Sequence, residues 1–235
     1  EPADLKKAAV NLSTVSDKVV LSYSKTTYDK TEKEPDVTIE GLVKDTDYSV
    51  TYSNNVNAGT ATVTIVGMND YVGTLYQYFT MEPAKMTGVS VHGYKGTYDE
   101  SSHTITLDGV PEGAVITYAS EESGIYSEMK PDRRSAGTTT VYYKINKANY
   151  EELKGCVKIV IEAAPIAEKK VELSDVSYVY DGTAKSPNVA IAGMIRGIDF
   201  TVSYSKNVDA GTGIVTVEGI GNYKGVLYQY FTIEP

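Results

Sequence analysis

The sequence is poor in cysteine and has no long apolar run. Its single cysteine, Cys156, cannot form an intramolecular disulfide, so the class of small secreted domains held together by disulfides is excluded. No apolar stretch approaches the roughly 18 to 20 residues that a membrane-spanning helix needs. We therefore expect no membrane insertion of this segment.

Basic residues are also scarce. Lys and Arg number 22 against 31 Asp and Glu, which gives a formal net charge of −9. Proteins bind nucleic acids by neutralising phosphates with clustered Lys and Arg. A nucleic-acid partner is therefore not expected.

The aromatic composition and the spacing of apolar residues both indicate β-strands. Tryptophan is absent and phenylalanine occurs 3 times, whereas tyrosine occurs 20 times. Tyrosine is favoured on strands that are packed on one side and wet on the other. Tyr48, Val50 and Tyr52 alternate with polar residues, which is the period of two of a half-buried strand. Asn, Asp and Gly dominate residues 54–59 and 67–73, which predicts hairpin loops.

An internal repeat organises the chain. Residues 28–83 align with residues 180–235 at a constant offset of 152 without a gap, and 30 of the 56 positions are identical. A diverged third copy lies between them, because three landmarks recur in the same order. These are a Tyr-Asp pair, an Ala-Gly-Thr triplet and a single tyrosine: Tyr28-Asp29, Tyr98-Asp99 and Tyr180-Asp181; Ala58-Gly59-Thr60, Ala136-Gly137-Thr138 and Ala210-Gly211-Thr212; Tyr71, Tyr150 and Tyr223. We predict three domains, 1–83, 84–164 and 165–235, of which the first and third are of one type.

The predicted fold class is all-β, with three tandem small Ig-like β-sandwich modules. Several short strands separated by turn signals about every ten residues are typical of a sandwich. In the middle repeat the strands are predicted at Thr104–Leu107, Ala114–Tyr118, Thr139–Ile145 and Cys156–Ile161. One helical turn is predicted at Asp4–Val10. A β-grasp-like module is the alternative, and it would require a helix that the sequence does not show.

Several stretches resemble a known family. They resemble the MBG-type (Tyr-Asp-Gly) Ig-like repeats of bacterial extracellular proteins. The stretches are "YDGTAKSPNV" from Tyr180, "DFTVSYSKNVDAGTGIVTVEGIGNYKGVLYQYFTIEP" from Asp199, "VPEGAVITYAS" from Val110 and "SAGTTTVYYKINKANYE" from Ser135. The resemblance implies an extracellular setting in bacteria, Gram-positive ones above all, attached to the cell surface or secreted. It implies a repeat role, with no shared catalytic residue and no single ligand.

One position departs from this family pattern. Lys30 and Glu100 stand where Gly182 keeps the family glycine. We therefore expect the first two repeats to turn differently there.

The sequence shows no convincing catalytic or metal-binding motif. The two histidines, His92 and His103, lie in strand-like runs of the middle repeat and are expected to be ordinary surface or edge residues. The glycine pair of residues 219–222 precedes a strand, so it offers an anion no helix N-terminus. We expect the chain to be no enzyme, with no catalytic residue and no cofactor.

The tyrosines give the one positive indication of a binding site. Alternation along residues 75–81 places Tyr76 and Tyr78 on the face opposite the apolar residues, and Tyr228 and Tyr230 occupy the equivalent positions of the third repeat. Exposed rings can stack on sugars or on another protein, but cross-strand tyrosines also stabilise a sheet surface. The middle repeat has Cys156 instead of the first tyrosine of the pair and Lys158 instead of the second.

Two functions remain open at this point. The first is a non-catalytic spacer or stalk in a bacterial surface or secreted protein, whose partners are neighbouring domains of the same longer polypeptide. The second is an adhesion module that binds polysaccharide or host glycoprotein through the four tyrosines.

The chain opens on Glu1-Pro2-Ala3-Asp4, which does not resemble a signal peptide. We expect the chain to be part of a longer protein.

A chelator should leave the melting temperature of the chain unchanged. Asp45 and Asp47 resemble part of a calcium loop, but the third repeat has Gly197 in place of the first aspartate, and no Asp-x-Asp-x-Asp-Gly run is present. Thermal unfolding with and without EDTA measures this. A drop of more than about 5 °C, the size of a roughly 1 kcal/mol effect in a small domain, would restore the calcium interpretation.

Overall fold

The computed structural model describes residues 8–235, which are 52% strand and 4% helix. The predicted all-β class is therefore confirmed. The helical elements of the described residues are two short 3-10 helices, Leu12–Lys18 and Ile166–Glu168, and neither could supply the helix of a β-grasp. No helix among the described residues is long and apolar enough to cross a membrane. The predicted helical turn at Asp4–Val10 lies mostly outside the described residues, and Val10 itself begins the first strand.

The strands are short and follow one another through the whole described chain. Those of the first repeat are β1 (Val10–Asn11), β2 (Val19–Leu21), β3 (Lys25–Thr27), β4 (Val37–Ile39), β5 (Tyr48–Ser53), β6 (Gly59–Gly67), β7 (Tyr71–Val72) and β8 (Thr74–Glu82). Those of the middle repeat are β9 (Ser90–His92), β10 (Tyr94–Thr97), β11 (His103–Thr104), β12 (Thr106–Asp108), β13 (Val115–Ala119), β14 (Asp132–Arg133), β15 (Gly137–Asn146) and β16 (Leu153–Glu162). Those of the third repeat are β17 (Ala164–Pro165), β18 (Val171–Leu173), β19 (Ser177–Val179), β20 (Val189–Ile191), β21 (Phe200–Ser205), β22 (Gly211–Gly219), β23 (Tyr223–Lys224) and β24 (Val226–Glu234).

Each repeat contains one four-stranded mixed sheet. The strand orders are β3-β8-β6-β5, β10-β16-β15-β13 and β19-β24-β22-β21. In the two outer repeats the last three strands form antiparallel hairpins through the predicted loops. The first strand of each sheet pairs in parallel with the last, as β3 does with β8, β10 with β16 and β19 with β24. This pairing joins a strand from the beginning of each repeat to the strand at its end.

A second, two-stranded layer covers the inner face of the sheet in the outer repeats. In the first repeat it is the β2–β4 ladder, which buries Val37 and Ile39 in one cluster with Val63, Phe79 and Met81. The β18–β20 ladder of the third repeat contributes to the equivalent cluster around the buried ring of Phe231. Two layers around an apolar core make these repeats small β-sandwiches.

The middle repeat has a smaller core. Its central cluster consists of Ile105, Tyr118, Val141 and Ile159. A β9–β12 ladder accompanies its four-stranded sheet. The four strands predicted in this repeat are all present, although the first is broken at Ile105 into β11 and β12.

The chain forms two compact units. The first takes the chain up to Val89 together with Val110–Val115 and Ile145–Leu153. The second takes Ser90–Gly109, Ile116–Lys144 and Lys154–Pro235. Residues of the middle repeat therefore contribute to both units, and the domain limits 1–83, 84–164 and 165–235 stay a prediction.

The expectation that the first two repeats turn differently after the Tyr-Asp pair is wrong. Lys30 has φ 74° and Glu100 has φ 67°, close to the 77° of Gly182. All three residues adopt the left-handed conformation, which a side chain disfavours but does not forbid. The turn is thus fixed by its surroundings, and only the third repeat fills it with the residue that suits it best.

Replacing this glycine should cost stability. A Cβ at Gly182 would meet no atom within 4 Å, so the effect of Gly182→Ala is conformational alone. We expect a loss of about 1 kcal/mol in the free energy of unfolding of the third repeat, measured by chemical denaturation. The matched variant Lys30→Gly should stabilise the first repeat by a smaller amount, because glycine also gains freedom in the unfolded chain. An unchanged stability of Gly182→Ala would contradict this account.

Candidate functional site

The four candidate tyrosines lie on the outer faces of the two outer sheets. Tyr76 and Tyr78 are 58% and 59% exposed, and Tyr228 and Tyr230 are 56% and 58% exposed. They belong to β8 and β24, but β3 and β19 pair only with the last residues of these strands, so at the tyrosine positions β6 or β22 is the one paired neighbour among the described strands. The predicted alternation is confirmed, since Phe79 on the same strand is buried. That the rings bind a ligand stays a prediction.

The neighbours of these rings are mostly small and neutral. Thr64 lies opposite Tyr76 and Thr62 lies opposite Tyr78. In the third repeat Thr216 lies opposite Tyr228. Ile214 lies opposite Tyr230, and the exposed Glu218 follows two residues after Thr216 on the same strand. The residues directly opposite the rings are therefore uncharged, which suits cross-strand packing and weak contact with a ligand alike.

The corresponding face of the middle repeat is chemically different. Cys156 and Lys158 point outward, as the alignment predicts. Beside them an open groove of about 240 Å³ is lined in part by Tyr126 and Tyr142. The Nζ atom of Lys144 lies 4.2 Å from the centre of the Tyr126 ring. A ligand common to the outer repeats would not find the same surface here.

The histidines take part in loop and strand packing. His103 Nε2 lies 2.9 Å from Asp99 Oδ1, and its imidazole stacks on the Tyr94 ring at 3.8 Å between centroids. His92 Nε2 lies 3.5 Å from Asp108 Oδ2 at the exposed surface. Both histidines lie in strands, as predicted. The imidazole of each lies close to a carboxylate of its own repeat.

The suspected calcium fragment is a capped loop. Asp47 Oδ2 accepts a hydrogen bond from the backbone N–H of Val43 at 2.7 Å, and Asp199 does the same for Ile195 at 2.8 Å. Asp45 has φ 63°, which explains why a glycine suits the same place in the third repeat. Within residues 8–235 no three His, Cys, Asp or Glu side chains come together in a way that could hold a metal.

A repeated ion pair follows the Tyr-Asp landmark. Lys33 Nζ lies 2.5 Å from Asp29 Oδ2, and Lys185 Nζ lies 2.6 Å from Asp181 Oδ2. In each outer repeat the aspartate also accepts from the hydroxyl of the threonine two residues later. Sequence reasoning missed this pair, although its recurrence at the offset of 152 was a usable signal.

The ion pairs lower the pKa values of the aspartates. Hydrogen bonds from the Lys33 ammonium group and from Thr31 hold the pKa of Asp29 at about 2. The same two kinds of donor lower the pKa of Asp181 further. In the middle repeat the hydrogen bond from His103 lowers the pKa of Asp99. The carboxylate after the landmark tyrosine therefore stays ionised in every repeat at neutral pH.

A second repeated contact joins the landmarks of the first repeat to those of the middle one. Within the first compact unit, the backbone N–H of Ala58 donates to Asn149 Oδ1 at 2.9 Å. Asn149 Nδ2 in turn donates to Asn57 Oδ1 at 2.9 Å. The rings of Tyr28 and Tyr150 meet edge to face, 5.6 Å between centroids and at 81°. We call this set of contacts the first joint.

The second joint repeats this arrangement within the second compact unit. The backbone N–H of Ala136 donates to Asn222 Oδ1 at 2.8 Å. The rings of Tyr98 and Tyr223 meet at 5.5 Å and 83°. All three kinds of landmark therefore take part in the joints. The first landmark tyrosine and the landmark alanine of one repeat contact an Asn-Tyr dipeptide of the next repeat, and the tyrosine of that dipeptide is the third landmark. Sequence reasoning interpreted residues 219–222 as a turn, which is right, but missed the role of the asparagine side chain.

A loop of the middle repeat exposes two large apolar side chains. Ile125 is 96% exposed and Met129 is 82% exposed, beside an open groove of about 370 Å³ that also includes Tyr118. The interval from the landmark tyrosine to the landmark glycine is 39 residues here and 31 in the outer repeats, so the loop lies in the longer interval. Sequence reasoning did not single it out.

Comparison with known proteins yields no family. No protein-family model matches the chain, and no curated protein matches it. Among solved structures, N-cadherin EC1-4 from Drosophila is 8% identical, with 90% of this chain and 72% of that chain covered and a TM-score of 0.28. Surface layer protein SbsC, domains 4–9, is 16% identical, with 88% of this chain and 44% of that chain covered and a TM-score of 0.18. TM-scores this low carry no argument, so the fold assignment rests on the strands and cores described above.

The Asp-Lys pairs predict a specific loss of stability in acid. Because the folded pKa of Asp29 lies below the ordinary value of 3.8, the unfolded state binds more protons between these values. The stabilisation is therefore complete above about pH 5 and is lost as the pH falls through 4 toward 2. The double variant Asp29→Asn with Asp181→Asn should melt lower at pH 7 and depend less steeply on pH below 5. Lys33→Met with Lys185→Met should behave alike, and equal slopes for variants and parent would refute the assignment.

Proposed function

We propose that this chain is a non-catalytic tandem repeat segment that acts as a spacer or stalk in a bacterial cell-surface or secreted protein. The observation that carries the proposal is the repetition of the joint. The same kinds of group, a landmark tyrosine ring and the N–H of a landmark alanine, bind an Asn-Tyr dipeptide twice in one chain. A contact that recurs between successive repeats serves to fix repeats to one another.

The connections support the same interpretation. β8 ends at Glu82 and Ala84 already pairs with Tyr150, so a single residue separates the two. β16 ends at Glu162 and β17 begins at Ala164. Connections this short allow little relative motion of the strands that they join. A spacer needs this restriction of motion.

The polar side chains support a structural role rather than catalysis. The aspartates that follow the landmark tyrosines bind a lysine or a histidine of their own repeat. Asp47 and Asp199 cap loops. We propose accordingly that the chain is no enzyme and needs no cofactor.

The sequence resemblance supports the proposed setting. The Tyr-Asp-Gly motif at Tyr180 and the recurrence of its Tyr-Asp pair in the other two repeats resemble MBG-type modules, which belong to bacterial extracellular proteins. We propose membership of that family, an extracellular location on the cell surface or in secretion, and neighbouring domains of the same polypeptide as partners.

An adhesion module is the second candidate. It is favoured by the equal exposure of the tyrosine pairs at equivalent positions of the outer repeats. A polysaccharide or a host glycoprotein would then contact flat sheet faces. Two rings on a flat face should bind weakly, since each stacking contact contributes only about 0.5 to 1.5 kcal/mol beyond burial.

Replacing the tyrosines distinguishes the two candidates. The spacer predicts no measurable affinity of the chain for common polysaccharides in titration calorimetry. It also predicts that Tyr76→Ala with Tyr78→Ala lowers the stability of the first repeat, because cross-strand packing with the threonines is lost. Tyr76→Phe with Tyr78→Phe is the matched control, since it keeps the rings and should keep the stability. Submillimolar binding to a glycan that the alanine variant abolishes while still folded would replace the spacer with the adhesion module.

A further inference from the structure

We infer that the end of the third repeat carries a docking surface for a further repeat with an Asn-Tyr loop. The surface consists of Tyr180, Val208, Asp209 and Ala210, and we call it the end surface. It is the counterpart of the surfaces that the first and middle repeats use in the two joints. The inference rests on those joints and holds whether the chain is a spacer or an adhesion module.

The backbone that builds this surface is the same in all three repeats. The N–H of Tyr28 donates to the carbonyl of Glu82 at 2.9 Å, that of Tyr98 to Glu162 at 2.8 Å, and that of Tyr180 to Glu234 at 2.8 Å. The landmark tyrosine is thereby held beside the last residue of the last strand in each case.

The glycine that follows the landmark alanine also keeps its conformation. Gly59, Gly137 and Gly211 have φ 135°, 131° and 136°. The alanine N–H of the third repeat is therefore set on the same backbone turn as those that bind asparagine in the joints.

The side chains of the end surface are exposed where those of the joints are covered. Tyr180 is 48% exposed, whereas Tyr28 and Tyr98 are half-buried. Ala210 is exposed, whereas Ala58 and Ala136 are half-buried. Val208 is 38% exposed, and its counterpart Val56 in the first repeat is half-buried. The third repeat thus exposes a tyrosine and an alanine that are half-buried in both predecessors, and a valine that is half-buried in the first repeat.

The chemistry of the surface specifies the partner. In the first joint the asparagine uses both halves of its amide, accepting from Ala58 and donating to Asn57. The third repeat offers the same pair, because Ala210 supplies the N–H and Asp209 supplies an acceptor oxygen in place of Asn57. A carboxylate accepts a hydrogen bond more strongly than an amide does. Tyr180 supplies the ring for an edge-to-face partner, so an asparagine followed by a tyrosine fits.

The first repeat itself is a poorer partner than the other two. The residue before its landmark tyrosine is Asp70, where the middle repeat has Asn149 and the third has Asn222. An aspartate at this place has no amide donor and would meet the carboxylate of Asp209. The surface therefore selects a repeat of the middle or third kind over the first repeat of a second copy.

The experiment lengthens the chain by its own repeats. Residues 84–235 are placed directly after Pro235, so that the new connection Glu-Pro-Ala reproduces the one at Glu82 to Ala84. Amide hydrogen exchange of Ala210 is followed by NMR in the lengthened chain and in the chain of 235 residues. We expect the exchange of Ala210 to slow by on the order of tenfold in the lengthened chain, and the exchange of Ala58 to stay as it is.

Two substitutions make the result specific. Asn149→Ala in the added copy alone should return Ala210 to its original rate while Ala58 remains slow. Tyr180→Ala should weaken the protection of Ala210, whereas Tyr230→Ala, at an exposed tyrosine of the same repeat outside the end surface, should leave it intact. Equal exchange of Ala210 in both chains, with the added copy folded, would overturn the inference. An added copy that fails to fold would also count against it, because the same residues fold after Pro83.

Discussion

The parallel pairing between an early strand and the last strand of each repeat is the constraint on which the rest of the structure depends. In the first repeat it joins Lys25 to Thr80 and Thr27 to Glu82. It ends on the hydrogen bond from the landmark tyrosine to the last glutamate of the sheet, which all three repeats form. Without this pairing the antiparallel hairpins would lack an edge strand, and the tyrosine would have no fixed place.

The pairing connects the core to the joints. It places the early strand beside the last strand, which carries Phe79 in the first repeat and Phe231 in the third. The Tyr23 ring contacts the Phe79 ring edge to face, and the Tyr178 ring contacts the Phe231 ring in the same way. At its end it places the landmark tyrosine next to the connection that leaves the repeat. The next residues of the chain then pair with the Asn-Tyr loop of the following repeat, as Ala84 and Ala164 do. One backbone feature therefore closes a repeat and prepares its contact with the next.

Much of this architecture could be predicted from the sequence, because strands leave a local pattern. The period of two predicted β5, β8 and the outward direction of Tyr76 and Tyr78, and the Asn- and Gly-rich stretches predicted the hairpins. The 3-10 helix at Leu12–Lys18 was missed because it carries no long apolar period. The turn at Lys30 was misjudged because the surrounding pairing imposes a left-handed conformation that the residue itself disfavours.

The candidate contacts were harder to predict for a different reason. Asn149 lies 91 residues from Ala58, and no local pattern links an asparagine in one loop to an alanine in another repeat. The recurrence of landmarks showed which residues matter but not what they touch. The Asp29 and Lys33 pair lay within reach, since both residues and their copies are only four positions apart.

The central claim is that each repeat closes its own core and that the joints add to a fold already complete. Unfolding of residues 164–235 alone tests it most directly. Apart from Tyr98, the cluster around Ile166 and Phe231 lies within these residues, so little core is lost on isolation. The account predicts a folded fragment with one cooperative denaturant transition, less stable than the same repeat in the whole chain. A disordered fragment, with the whole chain folded under the same conditions, would contradict it.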